Sequence, residues 1–170
     1  MGRCLHALLL ACLVLLGVPL AAVGQSGGEF STKARQVILM DATSGAILYQ
    51  VRAEELMSPA SLSKLMTAAL VFKALKSGKH KGSDEFVMSA NAWRTGGAPS
   101  GTSAMMVPVN TKARIDELLQ GIIVQSGNDA CISVAEGMAG NETAFAKLMT
   151  DEGQRIGLKK SSFRNATGLH

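Results

Sequence analysis

Two short runs of this chain carry residue types whose spacing could do chemistry. In Ser61-Leu62-Ser63-Lys64 a hydroxyl and an amine stand three residues apart, which on a helix places both on one face. A lysine is normally protonated near neutrality and cannot accept a proton. Burial in apolar surroundings and the positive end of a helix dipole both lower its pKa, so a neutral Lys64 amine can serve as general base for Ser61. The dipole and the free N–H groups at a helix start also favour the oxyanion that forms when a serine attacks a carbonyl. In Ser126-Gly127-Asn128, Ser126 could relay a proton between Lys64 and a leaving group while Asn128 holds a substrate amide. The alternative is that both only cap the following helix and satisfy backbone groups. Elimination narrows the field further. Past residue 24 the histidines are His80, inside a basic run, and His170, so a Ser-His-Asp triad or a histidine metal site has almost nothing to be built from. No metal and no other cofactor is expected.

Serine and lysine at this spacing occur by chance about once in a chain of this composition, so the elements that position them carry the weight. Ser58-Pro59 reads as an N-cap followed by proline at the first helical position. This predicts a helix from there to about residue 76, ending at Gly78, with Ser61 in its first turn. Over residues 65–72 only Thr67 is polar, which predicts that this helix lies inside the domain rather than on its surface. Ile115, Leu118, Leu119, Ile122 and Ile123 follow the amphipathic helical period. The polar break Gln125-Ser126-Gly127-Asn128 separates them from a second helix marked by Ala130, Cys131, Val134, Ala135 and Met138, and a third begins near Asn141. Ser126 and Asn128 thus fall at an interior seam where their side chains need partners. A competing Ser-x-Asn occurs at Ser89-Ala90-Asn91, where Ser89 follows a short strand and is expected to be exposed. Ahead of these elements, residues 36–41 and 46–50 predict a β-hairpin across Ala42-Thr43-Ser44-Gly45. Short strands are expected at residues 85–88 and 105–109, with a glycine-rich structural loop over residues 95–101. That loop has no P-loop lysine-threonine pair and no dinucleotide-binding glycine spacing.

The chain has 170 residues, 47% of them apolar and only 4% aromatic, with a net charge of +4. The apolar excess is concentrated at the start. Arg3, the apolar run over residues 7–20, and the small residues Ala22-Val23-Gly24 read as an export signal cut near Gly24-Gln25. Gly17 and Pro19 interrupt the run and no basic cluster follows it, against a permanent anchor. The expected organisation is therefore a signal at 1–24, a flexible lead at 25–35, and one domain over 36–170. Without Arg3 the net charge is +3, which gives no reason to expect a nucleic-acid partner. The basic run Lys73, Lys76, Lys79, His80, Lys81 falls where a helix should end, and cations there complement the dipole. Cys4 and Cys12 would leave with the signal, so Cys131 has no internal partner.

Pro59-Ala60-Ser61-Leu62-Ser63-Lys64-Leu65-Met66-Thr67 and Gln125-Ser126-Gly127-Asn128-Asp129-Ala130 together resemble the low-molecular-weight penicillin-binding proteins, which are serine-type D-alanyl-D-alanine carboxypeptidases. The likeness extends to the leading hairpin, the glycine-rich segment from Thr95, and Phe163-Arg164-Asn165-Ala166-Thr167-Gly168-Leu169-His170. It implies an α+β, β-lactamase/transpeptidase-like fold, here an N-terminal hairpin plus a helical subdomain with the later sheet strands missing. It further implies a periplasmic hydrolase acting on the D-Ala-D-Ala end of peptidoglycan pentapeptide stems, through a Ser61 acyl-enzyme that β-lactams trap. By the same likeness Lys64 is base, Ser126 proton relay and Asn128 substrate ligand. The family's third motif, Lys-Thr-Gly, binds the substrate carboxylate and does not occur here. The chain is therefore expected to be truncated before it, with membrane association belonging to parts it lacks. The other readings are a D,D-endopeptidase of the same family and an inactive remnant or cell-wall-binding module.

Overall fold

The computed structural model describes residues 30–169. The export signal and residues 25–29 of the lead lie outside the described residues. Two compact units divide at Glu54/Glu55, inside the single domain expected over 36–170.

The first unit holds the expected hairpin, β1 (Val37–Met40) and β2 (Ile47–Val51), paired antiparallel from Val37 opposite Val51 to Met40 opposite Ile47, with an irregularity between Leu39 and Met40. Its turn is built by Asp41. The Asp41 carboxylate accepts from the Ser44 N–H (2.7 Å) and the Ser44 hydroxyl (2.6 Å), and Gly45 takes the positive φ of +73° that lets the chain return. These two hydrogen bonds from Ser44, the hydroxyl first, hold the Asp41 carboxyl below its usual range.

The second unit is mainly helical. Its helices are α1 (Lys64–Lys76), α2 (Ala90–Gly96), α3 (Ile115–Gln125), α4 (Asn128–Ala139) and α5 (Glu142–Arg155), and β3 (Glu85–Val87) pairs antiparallel with β4 (Lys112–Arg114). Helix α4 lies at the centre, against α1, α2, α3, α5 and β3. Its Ala130, Cys131, Val134 and Ala135 are wholly buried with Met88, Leu118, Phe145 and Met149, which accounts for a helix with few polar positions. The Asn141 side chain accepts from the Ala144 N–H and starts α5 where a helix was expected. Lys73 at the end of α1 and Arg155 on α5 both reach the Glu152 carboxylate at 2.5 Å. Hydrogen bonds from Arg155 and then Lys73 hold that carboxyl down at about 2.

Five expectations are corrected. Ser58 does not cap α1: Pro59 is already in the right-handed helical region, Ala60 turns to a φ of +47°, and Ala60–Ser63 form a 3-10 turn that leads into α1. Helix α1 is not enclosed all round. Met66, Leu70, Val71 and Ala74 are buried, but Leu65 and Phe72 are 72% and 52% exposed. The apolar run at residues 105–109 is not a strand, because the Met105 and Met106 N–H groups donate to the Asp129 carboxylate and Met106 has a φ of +64°. The partner of β3 is β4 instead. Finally, the glycine-rich stretch is the end of α2 followed by a 3-10 turn at Ala98–Ser100. Ser89 caps α2 by accepting from the Ala92 N–H and is half-buried rather than exposed.

Candidate active site

The 3-10 geometry decides how the nucleophile meets the base. With three residues per turn, positions i and i+3 eclipse, so the Ala60–Ser63 turn stacks Ser61 directly before Lys64 at the mouth of α1. Lys64 Nζ lies 2.9 Å from Ser61 Oγ and 3.0 Å from Ser126 Oγ, donating to both. The Ser61 residue is exposed, whereas Lys64 is 4% exposed. Burial pushes the Lys64 amine below the ordinary lysine range. Neutral Lys64 has a lone pair within reach of the Ser61 proton and N–H donors left for Ser126.

Ser126 reaches this position through the break between α3 and α4. It is in the left-handed region, with φ +54° and ψ +37°, where it ends α3 and swings its hydroxyl to Lys64. A non-glycine residue in that region is strained, and such strain concentrates at functional sites. Asn128 opens α4, 2% exposed. Its N–H donates to the Ser103 carbonyl (2.8 Å) and its Nδ2 to Thr102 Oγ1 (2.9 Å). Among the described residues, its Oδ1 is a buried polar atom without a hydrogen-bond partner, and a buried acceptor of this kind calls for a donor. The structure thus brings Ser61, Lys64 and Ser126 into one hydrogen-bonded cluster and ties the Asn128 carboxamide to Thr102.

Two residues that shape the site escaped the sequence reading. Asp129 is wholly buried, and its carboxylate accepts from the N–H groups of Met105 (2.7 Å), Met106 (2.9 Å) and Ala130 (2.9 Å). It fastens the segment after the glycine-rich stretch onto the first turn of α4. Thr102 lies on that segment, its hydroxyl 2.7 Å from Ser100 Oγ. The hydroxyl-rich run Ser100-Gly101-Thr102-Ser103 was the available signal. Among the described residues no cluster of His, Cys, Asp and Glu has the makings of a metal site.

A family model described as D-alanyl-D-alanine carboxypeptidase matches residues 22–170. The D-alanyl-D-alanine carboxypeptidase DacF of Bacillus subtilis is 36% identical over 99% of this chain and 43% of its own length. DacC of Escherichia coli is 40% identical over 82% of this chain and 35% of its own. In structure, penicillin-binding protein 5 from Haemophilus influenzae superposes with a TM-score of 0.77 at 37% identity, covering 82% of this chain and 40% of that one. The mixed helix-and-strand class expected from the sequence agrees with these likenesses. The chain spans about two fifths of the length of the relatives it matches.

Proposed function

The chain belongs to the D-alanyl-D-alanine carboxypeptidase family, and from that membership we propose that it carries the nucleophilic half of a serine-type D-Ala-D-Ala carboxypeptidase site. The observation that carries this reading is Lys64 Nζ, buried and within 3.0 Å of both serine hydroxyls. Ser61 Oγ attacks the carbonyl carbon of the penultimate D-alanine while Lys64 Nζ takes the Ser61 proton. The dipole at the start of the helix favours the negative charge on the tetrahedral oxygen. Lys64 passes the proton through Ser126 to the departing D-alanine amine, leaving an ester on Ser61. Water then hydrolyses the ester and Ser61 regains a proton. Asn128 Oδ1, buried without a partner, accepts an N–H of the substrate backbone. A β-lactam carbonyl meets the same nucleophile, but its leaving amine stays tethered and the ester persists.

A labelled penicillin incubated with the chain tests this, with the adduct mapped by mass spectrometry. Label is expected on Ser61 and absent from Ser61→Ala. Equal labelling of the two proteins, or none on Ser61, overturns the reading.

Export to the periplasm follows from Arg3, the apolar stretch behind it and Ala22-Val23-Gly24. There the peptidoglycan stems are within reach, and trimming them bears on wall growth and cell shape. Expression in a Gram-negative host with fractionation is expected to give periplasmic protein beginning at Gln25; protein retained in the cytoplasm with Met1 intact would contradict it.

A further inference from the structure

Pro59, at the start of the nucleophile turn, makes no side-chain cap, and Ala60, immediately before Ser61, has a φ of +47° that alanine rarely adopts. A residue in this region persists only when its surroundings impose it. The surroundings come from the far end of the unit. Gly168, itself at φ +76°, lies against the Ala60 peptide so closely that a Cβ placed on it would overlap the Ala60 carbonyl oxygen and stand 2.7 Å from the Ala60 carbonyl carbon and 2.8 Å from Ser63 Oγ. Only glycine fits at that contact.

The turn that presents Gly168 is tied off by one side chain. Asn165 Oδ1 accepts from the N–H of Gly168 (2.7 Å) and from the N–H and hydroxyl of Thr167 (3.1 and 3.2 Å), while Asn165 Nδ2 donates to the Leu169 carbonyl (2.6 Å). The turn is also pinned to α1. The Thr67 hydroxyl, wholly buried one turn after Lys64, donates to the Ala166 carbonyl at 2.8 Å. The same piece of backbone therefore touches the residue before the nucleophile and the helix that carries the base.

We propose that Asn165 and Gly168 are positioning residues for the reaction: the turn they build is the seat that imposes the backbone of Ala60 and thereby sets the reach of Ser61 Oγ to Lys64 Nζ. This rests on the Ser61–Lys64 reading above. It gives Phe163-Arg164-Asn165-Ala166-Thr167-Gly168-Leu169 a task in the chemistry without contact to the reacting atoms.

The test compares the 170-residue chain with Gly168→Ala, Asn165→Ala and, as control, Gly140→Ala. Gly140 also has a positive φ, +83°, but an added Cβ there meets nothing within 4 Å, so alanine imposes a comparable backbone penalty away from the nucleophile. The first readout is the titration of Lys64, followed by NMR of ε-carbon-labelled lysine. A displaced turn admits water beside the amine, so Gly168→Ala and Asn165→Ala are expected to raise the Lys64 midpoint by about one pH unit towards an ordinary lysine, and Gly140→Ala to leave it in place. The second readout is the rate of acylation by a fluorescent penicillin. An ångström-scale misplacement predicts a loss of about 100-fold in the first two variants and none in the control.

Should Gly168→Ala fail to fold, Asn165→Ala and Thr67→Val decide. Lys64 titrating as in the unsubstituted chain in these variants overturns the proposal. Absence of label in the unsubstituted chain would count against the acyl-enzyme reading instead, and the Lys64 titration would still decide the seating.

Discussion

In the proposed reaction Lys64 must shed a proton before it can take one from Ser61, and burial lowers its pKa below the ordinary 10.5. Acylation is therefore expected to rise with pH as Lys64 deprotonates and to level off at a lower pH than an ordinary lysine would give. Lys64→Arg keeps a cation that cannot be neutralised; its expected rate is lower by about 10²–10⁴, with the Lys64-dependent rise gone from the profile. Stopped-flow acylation across pH measures both. Linkage gives the companion sign: below its lowered pKa the folded chain must bury a cation that the unfolded chain carries in water. The Lys64 contribution to stability accordingly rises with pH between that pKa and 10.5. At this scale the sequence was most legible for Ser61, Lys64 and Ser126. A three-residue spacing and a polar break between apolar helices are local signals. Thr102 and Gly168 were not legible, because Thr102 meets Asn128 across 26 residues and Gly168 meets Ala60 from the opposite end of the unit. Neither contact leaves a periodic mark in the chain.

Among the elements, those with an apolar period came through best. Helices α3, α4 and α5 and the β1–β2 hairpin stand close to where pattern and turn residues put them. Two of the errors are local preferences overridden, one at Ala60 and one at Met105 and Met106. Pro59 at a nominal first turn should have extended α1 backwards, yet Ala60 at positive φ breaks the helical path and leaves the tighter turn that stacks Ser61 on Lys64. The apolar run over residues 105–109 should have made a strand, yet the Asp129 carboxylate withdraws two of its N–H groups from any ladder. Asp129→Ala would leave those donors without their acceptor, at a cost of about 1–3 kcal/mol for each that stays buried. The expected result is a lower melting temperature and faster amide exchange at Met105 and Met106, with α5 unaffected. Unchanged exchange at these two amides would show that the carboxylate does not hold the segment.

For the molecule as a whole, the two units differ in what they bury. The second has a core around α4. The first is a two-stranded hairpin on which Ile38, Leu39, Met40, Ile47 and Leu48 are all at least half exposed, and an isolated hairpin is marginal in water. Amides of β1 and β2 are expected to exchange far faster than those of α4 in the 170-residue chain; equal protection would show that the hairpin is held as firmly as the core. The buried Cys131 has a different consequence. It is wholly enclosed in α4, and burial pushes its thiol up to about 12, so the native chain presents neither a thiolate nor an approach to one. Among the described residues Cys131 is the free cysteine. Under oxidising conditions a covalent dimer linked through Cys131 therefore forms from molecules whose α4 has opened. Disulfide-linked dimer becomes a permanent record of unfolding, and the fraction of it in a preparation counts the molecules that lost their fold before they were harvested.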